Sequence, residues 1–248
     1  MSHRRARHLN PNAAGATLVY DARFISGANG SAIATWSNRA SASYDMVQSS
    51  ASQKPILRYA QQAGNNAAEF NGATDATCSA MRTASAPSIP SATSIIIAGK
   101  ITTSAGQDRN AFYWGNAATY SPNYNYIGVG KVYSGTKLQS GNYNNPTDGS
   151  VVATSSINTS NSVIATGIVN DSGTNRMCIN GTQEATTSST TISFSASTVP
   201  TLGTRGSQNG FAWLGYLYTV IFFPSAITAA MRHRIEQSLS RVWKISCS

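Results

Sequence analysis

Tyr216-Leu-Tyr-Thr-Val-Ile-Phe-Phe223, closed by Pro224 and followed by the run from Thr228 to Trp243, decides the fold. Strict alternation puts Leu217, Ile221 and Phe223 on one face of a strand and Tyr216, Tyr218, Val220 and Phe222 on the other. Both faces are apolar, so the strand needs cover on two sides. Pro224 has no amide proton and ends the ladder, while Thr228 suits the N-cap of a following helix. At about 100° per residue, Met231, Ile235, Ser238, Leu239 and Val242 form one narrow stripe. Arg232, His233, Glu236, Gln237 and Ser240 are expected to point to solvent. The pair reads as a core strand with a packing helix.

Working back from this end, the remaining strands are short and bounded by turn residues. Thr17-Leu-Val-Tyr-Asp-Ala22, Ser31 to Trp36, Pro55 to Tyr59, Ala67 to Phe70 and Ser94 to Ile101 read as strands. Val163 to Val169 and Arg176 to Ile179 form a hairpin around Asp171-Ser-Gly173, and Asn180-Gly181 turns into a further strand. Asn-Gly recurs at 29–30, 71–72 and 209–210. Residues 186–198 are an exposed strand or loop. With 248 residues and no interdomain linker, the simplest organisation is a basic arm, 1–16, and one β domain, 17–248.

Charged residues are 11% of the chain and hydrophobic ones 41%, so solubility rests on Ser, Thr, Asn, Gln and Gly. The net charge of +9 includes Arg4, Arg5 and Arg7 in the arm, and the remaining charge is scattered. That distribution does not specify nucleic acid. Cys78, Cys178 and Cys247 are far apart and odd in number, which signals neither a zinc site nor a disulfide framework. No run is long enough to span a membrane and no export signal is legible, so synthesis in the cytoplasm without a signal peptide is the expectation.

The order of these motifs resembles the concanavalin A-like lectin/glucanase superfamily, and within it the laminin G-like domains of bacterial and phage proteins. The matching elements are Leu18-Val-Tyr-Asp-Ala22, Gly30 to Trp36, Gln53-Lys-Pro55, Phe70-Asn-Gly72, and Arg232-His-Arg-Ile-Glu236 with Trp243. The resemblance covers about residues 17 to 245 and implies an all-β jelly-roll sandwich of two antiparallel sheets with a C-terminal helix packed outside. Two departures stand out. Tyr216 and Thr219 replace acids that often follow the glycine of the closing strand in such domains, and residues 102–160 match nothing in the pattern.

Catalysis is not expected. Glycoside hydrolysis needs two facing carboxyl groups, and none of the nine acids falls in the alternating pattern of the laminarinase-like members. His3 and His8 lie in the arm and His233 on the polar face of the helix, away from any Ser or Cys nucleophile. No metal cluster and no cofactor motif appears; Asp75 and Asn71 read as a capped turn rather than a calcium site.

Binding remains. Tyr113, Trp114, Tyr120, Tyr124, Tyr126, Tyr133 and Tyr143, set among Asn, Ser and Gly, are candidates for stacking on sugars. The main expectation is a non-catalytic structural protein of a virion surface, a phage capsid decoration or fibre component anchored through Arg4, Arg5 and Arg7. Its partners would be other virion proteins and host-surface glycans, in a homo-oligomer or larger assembly. The alternative is a glycan-binding module using residues 112–143.

Overall fold

The computed structural model describes residues 15–73, 77–103, 109–115, 125–131, 137–144, 147–148, 150–189, 192, 198–204 and 211–248. The arm, with Arg4, Arg5 and Arg7, lies outside them, as do Tyr120, Tyr124, Tyr133 and Asp75.

The strands run as follows. The first six are β1 (Leu18–Asp21), β2 (Thr35–Trp36), β3 (Met46–Val47), β4 (Ile56–Gln62), β5 (Asn65–Asn71) and β6 (Met81–Thr83). Then come β7 (Thr93–Ile101), β8 (Arg109–Gly115), β9 (Asn125–Lys131), β10 (Leu138–Asn144), β11 (Thr147–Asp148) and β12 (Val151–Val152). The last five are β13 (Val163–Asp171), β14 (Thr174–Ile179), β15 (Thr182–Ser188), β16 (Thr201–Leu202) and β17 (Leu214–Phe223), before the helix α1 (Ala229–Trp243).

They form two antiparallel sheets. One is ordered β15-β14-β13-β7-β17-β5-β4, with β1 also on β17; the other is β11-β10-β9-β8-β16-β6-β3-β2, with β12 on β10. β17 is central because it is long enough to hold two short strands end to end on one edge. Leu214 to Leu217 pair with β5, and Thr219 to Phe222 pair with β1, while β7 runs along the other edge.

Between the sheets Trp36, Phe70, Phe112, Trp114, Trp213 and Phe222 build the main core. Ile96, Ile164, Tyr218, Ile221 and Phe223, on the outer face of the first sheet, are sealed by Ile235, Leu239 and Trp243 of α1. Each of these three helix side chains contributes about 2 kcal/mol by leaving water.

The register of β17 departs from strict alternation. Leu217 pairs with Gly99 and Thr219 with Ala98, so Tyr218 is an extra, bulged residue. The bulge reverses parity along the strand. Leu217, Val220 and Phe222 face the opposite sheet, while Tyr218, Ile221 and Phe223 face the helix. Thr219 also turns to the helix, where its hydroxyl accepts the Trp243 indole N–H at 3.0 Å.

Thr228 caps α1 by accepting from the Met231 amide at 3.2 Å, and Lys244 ends it with φ at +52°. The expected polar face needs correction at Arg232, whose side chain is 12% exposed and donates to Gly181 O, and at Glu236. Glu236 is fully buried instead of solvated, because it lies over β13. The other end of the helix is capped from the β4–β5 hairpin: Gln62 Nε2 donates to the Trp243 carbonyl at 2.7 Å and Asn65 Nδ2 to that of Val242 at 3.2 Å.

The turns at Ser172-Gly173 and Asn180-Gly181 have positive φ throughout, as a two-residue hairpin with a right-handed strand twist requires. Asn71-Gly72 does not close a tight hairpin. The Asn71 side chain instead pins the following loop, accepting from Ser79 N at 2.8 Å and donating to Thr77 O at 2.8 Å. The strand expected from Ser31 is short, with Thr35 and Trp36 in β2 and Ala32 in an isolated bridge to Ile56.

Candidate functional site

The structure removes the first two members of the aromatic set. Tyr113 and Trp114 are 0% exposed, so neither offers a ring face to a ligand. Trp114 points between the sheets, edge-on to Phe222 at 5.6 Å, with its indole N–H donating to the Thr198 carbonyl at 3.0 Å. Trp36, Trp213 and Trp243 are buried as well, which leaves no tryptophan for stacking. Tyr126 and Tyr143 are cross-strand partners on β9 and β10, the one pair of the candidate set that the described topology brings together. The low charge of this region and its aromatic content are equally those of a core strand, β8, and the sequence carries no signal that separates the two.

A second candidate, an open groove, lies elsewhere, at the end of the first sheet. It is a groove of about 990 Å³ between the loop that follows β12 and the segment that follows α1. Its floor is Val163, Ile179 and Asn180, and its walls carry Ser155, Asn158, Ser162, Glu184, Lys244 and Ser246. Gln62 reaches in from the β4–β5 hairpin.

This lining is ordered by hydrogen bonds from several elements. Gln62 donates through its amide nitrogen to Trp243 O, so its oxygen is the acceptor for Ser162 Oγ at 2.8 Å. Ser162 has a single proton, which makes the Tyr218 hydroxyl, 2.9 Å away, the donor to Ser162. The result is a relay of fixed direction from Tyr218 through Ser162 and Gln62 to the helix terminus. The bulge at Tyr218 creates it, since that residue's ring stacks on Trp243 at 5.0 Å and its hydroxyl meets Ser162. Burial raises the Tyr218 pKa, which keeps the phenol protonated.

Asn180, at the β14–β15 turn, binds both backbone groups of Ile164: its side-chain oxygen accepts from Ile164 N and its own amide donates to Ile164 O, each at 2.8 Å. Its carbonyl in turn accepts from Ser248 N at 2.9 Å, which fixes one wall. On the opposite wall Glu184 accepts from the Thr154 hydroxyl at 2.5 Å and from Ser155 N at 3.0 Å. The Thr154 bond above all holds the Glu184 pKa below its ordinary value, so this carboxylate is ionised and an acceptor only. Among the described residues it is the one acidic side chain of the groove. Hydroxyls, carboxamides and a fixed carboxylate over an apolar floor can hold a ligand rich in hydroxyl groups; they do not assemble a carboxylate pair or a Ser-His couple.

Sequence reasoning missed Gln62, Ser162, Glu184 and Lys244. Asn180-Gly181 was legible as a turn, and the polar run Thr154 to Ser162 overlaps the stretch that matched no pattern, but nothing in the spacing marks them as one wall.

The geometry defines a class, a β-sandwich of two antiparallel sheets with one helix packed on an outer face. No protein-family model matches the sequence, and no curated protein matches it either. Solved structures share the fold. The Trypanosoma rangeli sialidase superimposes at a TM-score of 0.59 with 11% identity over 92% of this chain, which spans 33% of that enzyme. Domain 4 of an extracellular GH43 arabinanase from Geobacillus stearothermophilus, determined with arabinotriose, superimposes at 0.53 with 17% identity, covering 74% of this chain and 81% of that domain. The CBM40 module of a Ruminococcus gnavus sialidase, bound to α2,3 sialyllactose, overlaps 57% of the chain at 0.46. The sialidase and the arabinanase domain share the β-sandwich fold with this chain; neither is a laminin G-like domain or a phage protein.

Proposed function

We propose that this chain is a non-catalytic carbohydrate-binding module whose sugar lies in the groove beside the C-terminal segment. The observation that carries the reading is the groove itself, in which Gln62, Ser162, Asn180 and Glu184 are held by bonds to the end of α1, β4, β13 and the loop after β12. Polar groups already oriented before binding lose little entropy when they receive hydroxyls. The arabinotriose-bound domain with the same sandwich supports a sugar as the ligand class, and neutral oligosaccharides suit a lining with one carboxylate and one lysine.

The test is calorimetric titration of the purified protein with arabinotriose and with sialyllactose, on the native chain and on Gln62→Ala and Glu184→Gln. Saturable binding that both variants weaken by about tenfold, with the circular dichroism of the native fold kept, supports the groove. Binding that neither variant changes places the sugar elsewhere, and absence of binding to a wider glycan panel rejects the module.

Placement on a virion surface is a separate proposal, supported by the low surface charge and the basic arm. It is tested by co-sedimentation of the chain with particles from its natural source, which deletion of residues 1–16 should abolish.

A further inference from the structure

Three carboxamides of the groove are turned the same way by the fold. The Gln62 oxygen accepts from Ser162 Oγ, the Asn180 oxygen from Ile164 N and the Asn158 oxygen from Ser160 N, each at 2.8 Å. These bonds fix which end of each group is which. Flipping Asn158 or Asn180 would set an NH2 group against a backbone N–H, and flipping Gln62 would set its oxygen against the Trp243 carbonyl. The nitrogens are therefore what the groove offers a ligand. Gln62 Nε2 spends one proton on Trp243 O, while Asn158 Nδ2 and Asn180 Nδ2 bond to no described residue. Lys244 adds an exposed ammonium group to the same lining.

A wall rich in N–H donors asks for a ligand with carbonyl-type acceptors, since such an oxygen has two lone pairs and no proton of its own to place. An acidic sugar also brings acceptors, but the ionised Glu184 opposes what Lys244 would gain. Asn180 narrows the choice further. It follows Ile179 in the chain, and its oxygen is bonded to the amide of Ile164, the residue after Val163, so a donor lies beside the apolar floor of Val163 and Ile179. An acetamido group carries a carbonyl and a methyl on one carbon and matches that pairing. Its N–H suits the Glu184 carboxylate, whose two oxygens have room beyond the bonds from Thr154 and Ser155.

We propose that the groove selects N-acetylated amino sugars, with Asn180 Nδ2 donating to the acetamido carbonyl and Val163 and Ile179 receiving the methyl group. The inference rests on the groove being the sugar site.

The test compares calorimetric binding of tri-N-acetylchitotriose and of cellotriose, which has a hydroxyl where each acetamido group stands. The full chain is used in its native form and as Asn180→Asp and Gln62→Ala. Asn180→Asp keeps an oxygen to accept from Ile164 N and puts a second oxygen where the donor was, and aspartate tolerates the φ of +49° at this position. The native chain should bind the acetylated trimer at least about tenfold tighter than cellotriose. Asn180→Asp should remove most of that preference, with the circular dichroism of the native fold kept. Equal native affinity for the two trimers overturns the acetamido assignment, and so does a preference that Asn180→Asp leaves in place. In both cases sugar binding that Gln62→Ala weakens would leave the groove standing as a site for other sugars. Absence of binding to both trimers and to arabinotriose overturns the assignment together with the groove.

Discussion

Thr166 on β13 donates its hydroxyl to Glu236 Oε1 of α1 at 2.6 Å, joining sheet and helix through a carboxylate that solvent does not reach. Arg232, one turn earlier, completes the pair at 3.2 Å from Oε2 and donates to Gly181 O at 2.9 Å. Burial raises the Glu236 pKa, and the Thr166 and Arg232 partners pull against that shift.

Removing the carboxylate strands two donors at once. Glu236→Ala should cost about 3 kcal/mol, Thr166→Val about 1 kcal/mol, and the double variant less than their sum. Urea unfolding of the four proteins checks this; additive costs would mean that the two residues do not act together.

Ser140 and Gly167 interlock the two sheets. A Cβ placed on Gly167 would lie 1.7 Å from Ser140 Oγ, whereas the φ of Gly167 is not left-handed, so contact and not conformation forbids a side chain. Gly167→Ala should therefore destabilise by about 2 kcal/mol. Adding Ser140→Gly should recover most of the loss, because it empties the space the methyl group needs. Thermal unfolding of the single and double variants is the measurement.

Ala63-Gly64 turns the β4–β5 hairpin with φ of +52° and +76°. An alanine there is strained, and asparagine tolerates the left-handed region better. Ala63→Asn is expected to stabilise by about 0.5–1 kcal/mol, and Ala63→Val to destabilise by more. The same hairpin delivers Gln62 to the groove, so the asparagine variant should leave sugar affinity intact.

Burial pushes the thiol of Cys178 up to about 11 from 9.0, and that of Cys247 likewise to about 11. The unfolded chain loses these protons first as pH rises, so it binds fewer protons than the fold between those values, and stability must fall across that window. The melting temperature should be level below about pH 8 and drop between about pH 9 and 11. Cys178→Ala, though less stable at neutral pH, should show a shallower drop. An unchanged slope would place the alkaline loss on tyrosines such as Tyr20, whose phenol burial also raises.

The closing strand, the Thr228 cap and the two hairpin turns at Ser172-Gly173 and Asn180-Gly181 were legible because each depends on residues within a few positions of one another. The face assignment along β17 was not, since the bulge at Tyr218 leaves no mark in the alternation of a strand that is apolar on both sides. Glu236 reads as a solvated helix residue until β13 supplies Thr166 to hold it. Trp114 reads as a sugar-stacking ring because composition does not report which side of a strand meets the opposite sheet.

By itself the sequence determined a two-faced buried strand, a capped helix and short strands joined by glycine turns, which together require a β-sandwich with one covered outer face. The tertiary structure decided the site. Gln62, Ser162, Asn180, Glu184 and Lys244 are scattered over more than half of the chain and meet only where the hairpin, the sheet end and the post-helical segment converge. Side-chain periodicity reports burial within one element, whereas a groove is the space left between elements, and its position follows from how they pack.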